Sequence, residues 1–242
     1  MSDSPEIVFI ERPFQIETLP LKNIYVLDNW LCSDLHHYTD EQISRGGYWA
    51  KTNEVSSRNS PTGLPHHQFW GASVLVGFDE NKNPKFSHEM NSHESYYLRH
   101  LNRRLQTEFG FKWERFQYMG LNSQTQGLHG TAHSDCSDED EWNISFLYYT
   151  NRFWEDTWGG DLRFYKTLEK GIQSRDDNTE FASVQFKPNR LIMFDGRIPH
   201  GADAPTSKAR YIDRKSVVIR GDEVRLVEKE EFYDANDRLS YI

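Results

Sequence analysis

A chain of 242 residues, 36% hydrophobic and 27% charged, with 7 Trp, 12 Tyr and 15 Phe, has the length of one ordinary domain and the composition of a globular protein with an aromatic interior. That excludes wholesale disorder and any need for disulfides or a structural metal to hold a core. The formal charge of -9 sets the surface against a phosphate backbone, so nucleic acid is not expected as a partner.

The only cysteines, Cys32 and Cys136, lie far apart and lack metal-ligand spacing. No basic leader precedes an apolar run, and no stretch approaches the eighteen or so apolar residues of a membrane span. A reducing, cytoplasmic setting is expected, without export or membrane contact. Nothing in the sequence sets an oligomeric state.

In chain order, residues 23–27 (Asn-Ile-Tyr-Val-Leu) read as a short strand. Asp28-Asn29 leads into an amphipathic helix carrying Trp30, Leu31, Leu35 and Ile43. Residues 51–64, rich in Ser, Asn, Pro and Gly, read as a loop, and 69–78 as a strand. A second helix is predicted over 92–108, where Tyr96, Leu98, Leu101 and Leu105 recur at helical spacing and Gly110 supplies the stop.

From Trp113 the chain turns to short runs of Tyr, Phe, Ile and Val divided by turn residues, the pattern of a sandwich or jelly roll. Strands are predicted at 115–119, 144–150, 161–165, 183–186, 190–194 and 215–219. The expected organisation is one domain over 1–242. It comprises a helix-and-strand support at 1–112, a jelly-roll core at 113–222 and a charged extension at 223–242.

The chemistry-bearing residues sit in the predicted β half. His133 and Asp135 stand two apart in Thr-Ala-His-Ser-Asp, so on an extended backbone both point to one side and can share a metal ion. Alone the pair says little, because such spacing arises by chance. His200 follows 65 residues later, where the apolar run at 190–194 ends in a turn, and Arg214 and Ser216 open the next apolar strand on a common face. Two histidines and a carboxylate suit iron(II) and leave adjacent positions open. A buried arginine suits the far carboxylate of a dicarboxylic cosubstrate, because its planar fork offers paired, permanently charged donors.

Other residues read more plainly. His36-His37 and His66-His67 are adjacent pairs that diverge on any regular element and are expected on the surface or in loops. His129 reads as a solvated loop histidine, Cys136 as a small buried filler, and the acidic run 138–141 as a solvated face.

His133-Ser-Asp135, Phe146-Leu-Tyr-Tyr-Thr-Asn151, Gly159-Gly160, Leu162-Arg-Phe164, the run 187–195 and Pro199-His200 together resemble the prolyl 4-hydroxylase-like family of iron(II) and 2-oxoglutarate dioxygenases. A weaker similarity starts at Tyr25. The resemblance implies a double-stranded β-helix of eight strands with flanking helices. It makes His133, Asp135 and His200 the metal ligands and catalytic centre, with iron(II), 2-oxoglutarate and dioxygen as cofactors and ascorbate as a reductant.

It further implies that Tyr149 donates to the distal carboxylate beside Arg214, that Leu162 packs along the cosubstrate's methylenes, and that Tyr118 belongs to the same pocket. Many members carry the basic residue nine or ten positions after the second histidine, where this chain has Arg210; the context Arg-x-Ser before an apolar strand favours Arg214. The implied reaction hydroxylates an unactivated C–H bond of an amino acid, a peptidyl proline or a natural-product-like small molecule, releasing succinate and carbon dioxide.

A catalytically silent metal-binding jelly roll and a cupin-like zinc hydrolase stay open as alternatives. Substrate contacts are not assigned. Tyr48, Trp49 and Trp70 are aromatic candidates for a substrate mouth, and the segments 51–64 and 169–180 are candidate lids.

Overall fold

The computed structural model describes residues 4–45, 49, 70–78, 84–86, 92–136, 143–167 and 179–228. The predicted loop 51–64, Tyr48, His66, His67, the acidic run 138–141, nearly all of the segment 169–180 and the chain beyond 228 lie outside the described residues.

The elements in order are β1 (Ile7–Phe9), β2 (Ile24–Leu27), α1 (Ser33–Arg45), β3 (Trp70–Phe78), β4 (Pro84–Phe86), α2 (Ser92–Phe109), β5 (Phe111–Gln124), β6 (Asn143–Tyr149), β7 (Leu162–Tyr165), β8 (Glu180–Val184), β9 (Leu191–Asp195), β10 (His200–Ala202) and β11 (Arg214–Leu226). Eight strands form a large sheet in the order β1-β2-β9-β6-β11-β5-β3-β4, antiparallel apart from the β1–β2 pair. A small sheet has the order β10-β7-β8. The segment at Thr131–His133 joins its β10 edge through an antiparallel bridge between His133 and His200.

Strand periodicity explains why the larger sheet can be covered on both sides. On β6, Ile144, Phe146 and Tyr148 pack with Leu98, Leu101, Leu105 and Phe109 of α2, whereas Leu147 and Tyr149 pack with Leu162, Phe164 and Val184 of the small sheet. The same alternation divides Leu191 and Met193 from Ile192 and Phe194 on β9. Helices therefore seal one face, while the other meets the small sheet: a double-stranded β-helix with flanking helices, as the sequence predicts. Each of the buried leucines of α2 contributes about 2 kcal/mol by leaving water. No helix among the described residues is long and apolar enough to cross a membrane.

Several boundaries move. β5 and β11 pair from Phe111↔Leu226 to Gln124↔Arg214, far beyond the apolar cores at 115–119 and 215–219, because continuous cross-strand pairing carries polar residues along. The divisions at 112 and 222 therefore fall within strands. α1 starts at Ser33, after Trp30 and Leu31, which are buried ahead of it. The third small-sheet strand is Glu180–Val184, not 183–186. Phe186 has left the ladder, its N–H donating to Asp161 Oδ1 at 3.2 Å and its ring packing on Tyr149, so burial at 184 and 186 mimicked strand periodicity.

His36 is not a surface residue. It is buried on α1, with Nε2 donating to the Asn151 carbonyl at 2.9 Å and Nδ1 at 2.7 Å from the Tyr148 hydroxyl. His37, its neighbour, is exposed, as expected.

Asn189 ties the approach to α1 onto the sheet. Its backbone is left-handed (φ 59°), its Oδ1 accepts from Leu31 N at 2.9 Å and its Nδ2 donates to Leu31 O at 2.8 Å. An asparagine tolerates that φ better than most residues. Asn189→Ala should lose about 2 to 4 kcal/mol of stability, through two buried backbone groups left unpaired and a strained φ; the shift in the denaturant midpoint at constant m measures it.

Candidate metal and cosubstrate site

The three predicted ligands meet. His133 and His200 exchange backbone hydrogen bonds of 2.9 and 2.8 Å across adjacent strands, which sets their rings side by side with centroids 4.6 Å apart. Asp135, whose N–H donates to Gly196 O at 2.7 Å, turns its carboxylate to both: Oδ1 lies 3.5 Å from His133 Nε2 and Oδ2 lies 3.7 Å from His200 Nε2. One ligand atom from each residue falls within 4.8 Å of the others.

Each imidazole uses Nδ1 against the carbonyl two residues before it, His133 to Thr131 at 2.8 Å and His200 to Ile198 at 2.9 Å. A carbonyl only accepts, so Nδ1 carries the proton and both Nε2 lone pairs face the carboxylate. Burial drives His200 down to about 4, against the pull of Asp135, so the ring is neutral at neutral pH.

Burial also works to raise the Asp135 carboxyl, but Arg220, His200 and His133 outweigh it and hold the group well below the usual carboxylate range. Arg220 pairs with Oδ1, and Ser145 donates to Oδ2. Two neutral nitrogen donors and one carboxylate oriented by hydrogen bonds form a donor set suited to iron(II).

The predicted cosubstrate residues lie farther along the same inner face. Arg214 and Ser216 on β11 alternate onto the side carrying Tyr149 of β6, whose Cα partner is Ser216. Arg214 is 1% exposed, donates from Nε to Gly160 O at 2.7 Å and from Nη1 to Gln124 Oε1 at 2.8 Å, and packs against both the Tyr149 and Phe186 rings at 4.9 Å. Burial holds its guanidinium below the ordinary arginine range, with Tyr149, Asp161 and Asp203 partly offsetting this. Tyr149 and Arg214 stand close enough to favour each other electrostatically. Even so, Arg214 Nη2, the Tyr149 hydroxyl and Ser216 Oγ are buried with no hydrogen bond of normal geometry.

One nitrogen of a buried cation and two neighbouring hydroxyls, none with an acceptor, are what a carboxylate completes. Leu162 is buried in the same cluster as Tyr149, with Leu147 and Phe164, and offers an apolar wall. Arg210, by contrast, is exposed and packs on Tyr211, itself 85% exposed.

Tyr118 needs correction. On β5 it stands opposite Arg220, at the metal end of β11, and its ring stacks on that guanidinium at 4.8 Å, whereas Gln124 is the β5 residue opposite Arg214. Period-two spacing separates Tyr118 from Gln124 by three rows. Trp49 and Trp70 do not open on the inner face either. They line a cavity of about 570 Å3 with Lys215, Ser44 and Tyr211, and Lys215 alternates to the side of β11 opposite Arg214. His129 is half-buried rather than solvated, accepting from Ala204 N at 3.2 Å.

Gln124, Ser145 and Arg220 were not legible as site residues in advance. For Arg220 a signal existed, since it continues the alternation of Arg214, Ser216 and Val218.

Gly160 makes room for the buried arginine. Its φ is +88°, and a Cβ there would stand 3.0 Å from Arg214 Cδ and 3.4 Å from Nε. Gly160→Ala should therefore displace the guanidinium and raise the 2-oxoglutarate Kd by an order of magnitude or more, with about 1 to 3 kcal/mol of backbone strain; anaerobic titration and thermal melting read the two effects separately.

A jelly roll that gathers two histidines and a carboxylate beside a buried arginine defines the class of mononuclear non-haem iron enzymes. Residues 118–219, which contain all three ligands and Arg214, match the model of the 2OG-Fe(II) oxygenase superfamily. The chain's cofactors are iron(II), 2-oxoglutarate and dioxygen. In fold it is similar to a prolyl hydroxylase from Trichoplax adhaerens in complex with a hypoxia inducible factor oxygen degradation domain peptide fragment (18% identity, TM-score 0.50, covering 83% of this chain and 84% of that one). It is likewise similar to an oxidoreductase of the 2OG-Fe(II) oxygenase family from Burkholderia pseudomallei (13% identity, TM-score 0.52, covering 85% and 87%). Among curated proteins the chain has no match.

Proposed function

We propose that the whole chain acts as one catalytic domain that hydroxylates an unactivated C–H bond of an amino acid, a peptidyl proline or a natural-product-like small molecule, with His133, Asp135 and His200 holding iron. Arg214, Tyr149 and Ser216 would hold the distal carboxylate of 2-oxoglutarate, and Leu162 would flank its methylenes. The observation that carries this reading is the pairing of two features on one inner face: lone pairs converging at one end, and a buried guanidinium at the other whose Nη2 has no acceptor.

When bound, iron and 2-oxoglutarate supply the oxidant, one dioxygen atom going to succinate and the other to the substrate as carbon dioxide leaves. The chain's residues supply the rest. Arg214 neutralises the far carboxylate, Leu147, Leu162 and Phe164 exclude water, and Ser145 and Arg220 fix the orientation of the Asp135 carboxylate. A zinc hydrolase or silent metal module has no use for a buried, unpaired arginine, which costs several kcal/mol without an anion. Free Cys32 and Cys136 fit a reducing, cytoplasmic setting.

The test is anaerobic reconstitution with iron(II) and titration with 2-oxoglutarate. A weak visible charge-transfer band that is lost in His200→Ala supports the reading. Bound iron without a band rejects it.

A further inference from the structure

Arg220 holds the Asp135 carboxylate through Nη1 alone, and the iron and 2-oxoglutarate chemistry leaves the other edge of its guanidinium unused. It stands on the inner face of β11, six residues beyond Arg214, opposite Ser145 on one side and Tyr118 on the other. Nη1 pairs with Asp135 Oδ1, and the guanidinium stacks on the Tyr118 ring at 4.8 Å. Gly120 leaves the space that the Tyr118 hydroxyl occupies, since a Cβ there would overlap it. Nε is buried without a hydrogen bond, and among the described residues Nη2 meets no acceptor either. The unused Nε/Nη2 edge is the one with which arginine grips a carboxylate through two parallel bonds. The Arg220 side chain is 27% exposed, against 3% for Asp135.

Charge balance points the same way. The two positive charges of iron(II) are matched by Asp135 and by the carboxylate of 2-oxoglutarate next to the keto group, while Arg214 takes the distal carboxylate. The histidines are neutral donors. Asp195 is engaged by Arg197 at 2.7 Å. Among the described residues nothing else offsets Arg220 once Asp135 shares its charge with a metal, and a partly exposed cation beside a dication favours an incoming anion.

We infer that Arg220, stacked on Tyr118, binds a carboxylate of the primary substrate. The substrate is then a free carboxylic acid, such as an amino acid or acyl amino acid, and not an internal residue of a polypeptide. This rests on the oxygenase reading, so the iron and 2-oxoglutarate band is recorded first; its failure would reject that reading and leave the assignment of Arg220 without a subject.

With the band established, the anaerobic iron and 2-oxoglutarate complex is challenged by thermal shift with free amino acids, N-acetyl amino acids and simple aliphatic acids, each alongside its primary amide. Short proline peptides with blocked ends complete the panel. The expected result is that at least one acid stabilises the complex, that its amide binds at least tenfold more weakly, and that Arg220→Gln reverses or erases that preference. The loss of acid affinity in Arg220→Gln should exceed its loss of 2-oxoglutarate affinity at least tenfold. Arg220→Lys, which keeps the charge and loses the fork, should fall between the two and controls for folding. Equal binding of acids and amides, binding only by blocked peptides, no binding by any acid, or a 2-oxoglutarate loss as large as the acid's would each overturn the assignment.

Discussion

Replacing Asp135 by alanine will remove iron binding and 2-oxoglutarate-dependent succinate release together, each by on the order of 100-fold or more, since loss of a hydrogen-bonded partner alone already costs 10- to 100-fold in comparable metal sites. Asp135 is the only anionic ligand among the three, and its replacement leaves two neutral imidazoles facing the Arg220 guanidinium, a site that repels a dication. Asp135→Asn separates charge from shape. The amide oxygen can still accept from Arg220, and the amide nitrogen can donate to Ser145 Oγ, so the side chain stays in place without its charge. Isothermal titration with iron(II) or manganese(II) under anaerobic conditions reads affinity directly. Metal binding in Asp135→Asn within threefold of the parent protein would show that the carboxylate's charge is not what holds the ion.

The asymmetry between what the sequence showed and what it hid has a physical basis. Metal ligation imposes particular residue types at short spacing on strand ends, so His133, Asp135 and His200 stand out against a β background, and Arg214 is marked by the apolar strand it opens. Alternation of apolar residues placed β2, β6, β7 and β9 within a residue or two, because each is buried on at least one face. Where polar residues continue a ladder the pattern fails, which is why β5 and β11 were read too short and Arg220 was lost beyond the end of a strand that in fact runs on to Leu226. Gln124 and His36 were invisible for another reason. Each is buried through hydrogen bonds to partners distant in sequence, Arg214 across 90 residues and Tyr148 across 112, and no local pattern encodes such a partner. Tyr118 was assigned to the wrong end of the site because the β5–β11 register, not residue type, decides which cation it meets.

Arg214→Met will move stability and ligand affinity in opposite directions. In the protein without 2-oxoglutarate the guanidinium is fully buried, keeps Nη2 unpaired and has Asp161 and Asp203 as more distant countercharges. A methionine of similar length would fill the space against Tyr149 and Phe186 without that desolvation cost, so the cosubstrate-free variant should melt no lower than the parent and by up to a few kcal/mol higher. With cosubstrate the order reverses. Removing one partner of a buried, hydrogen-bonded charge pair costs about 2 to 5 kcal/mol, which corresponds to a rise in 2-oxoglutarate Kd of roughly 30- to several thousand-fold. At a concentration of 100 Kd for the parent protein, ligand linkage adds about 2.7 kcal/mol to its stability and should add almost nothing to the variant. Melting curves with and without 2-oxoglutarate on iron-loaded, anaerobic protein therefore cross between the two. Arg210→Met serves as the control: its side chain is exposed and packs on exposed Tyr211, so neither curve should move. A variant at 214 that melts low in the absence of 2-oxoglutarate yet keeps its ligand-induced rise would make Arg214 a structural cation and return the cosubstrate to another group.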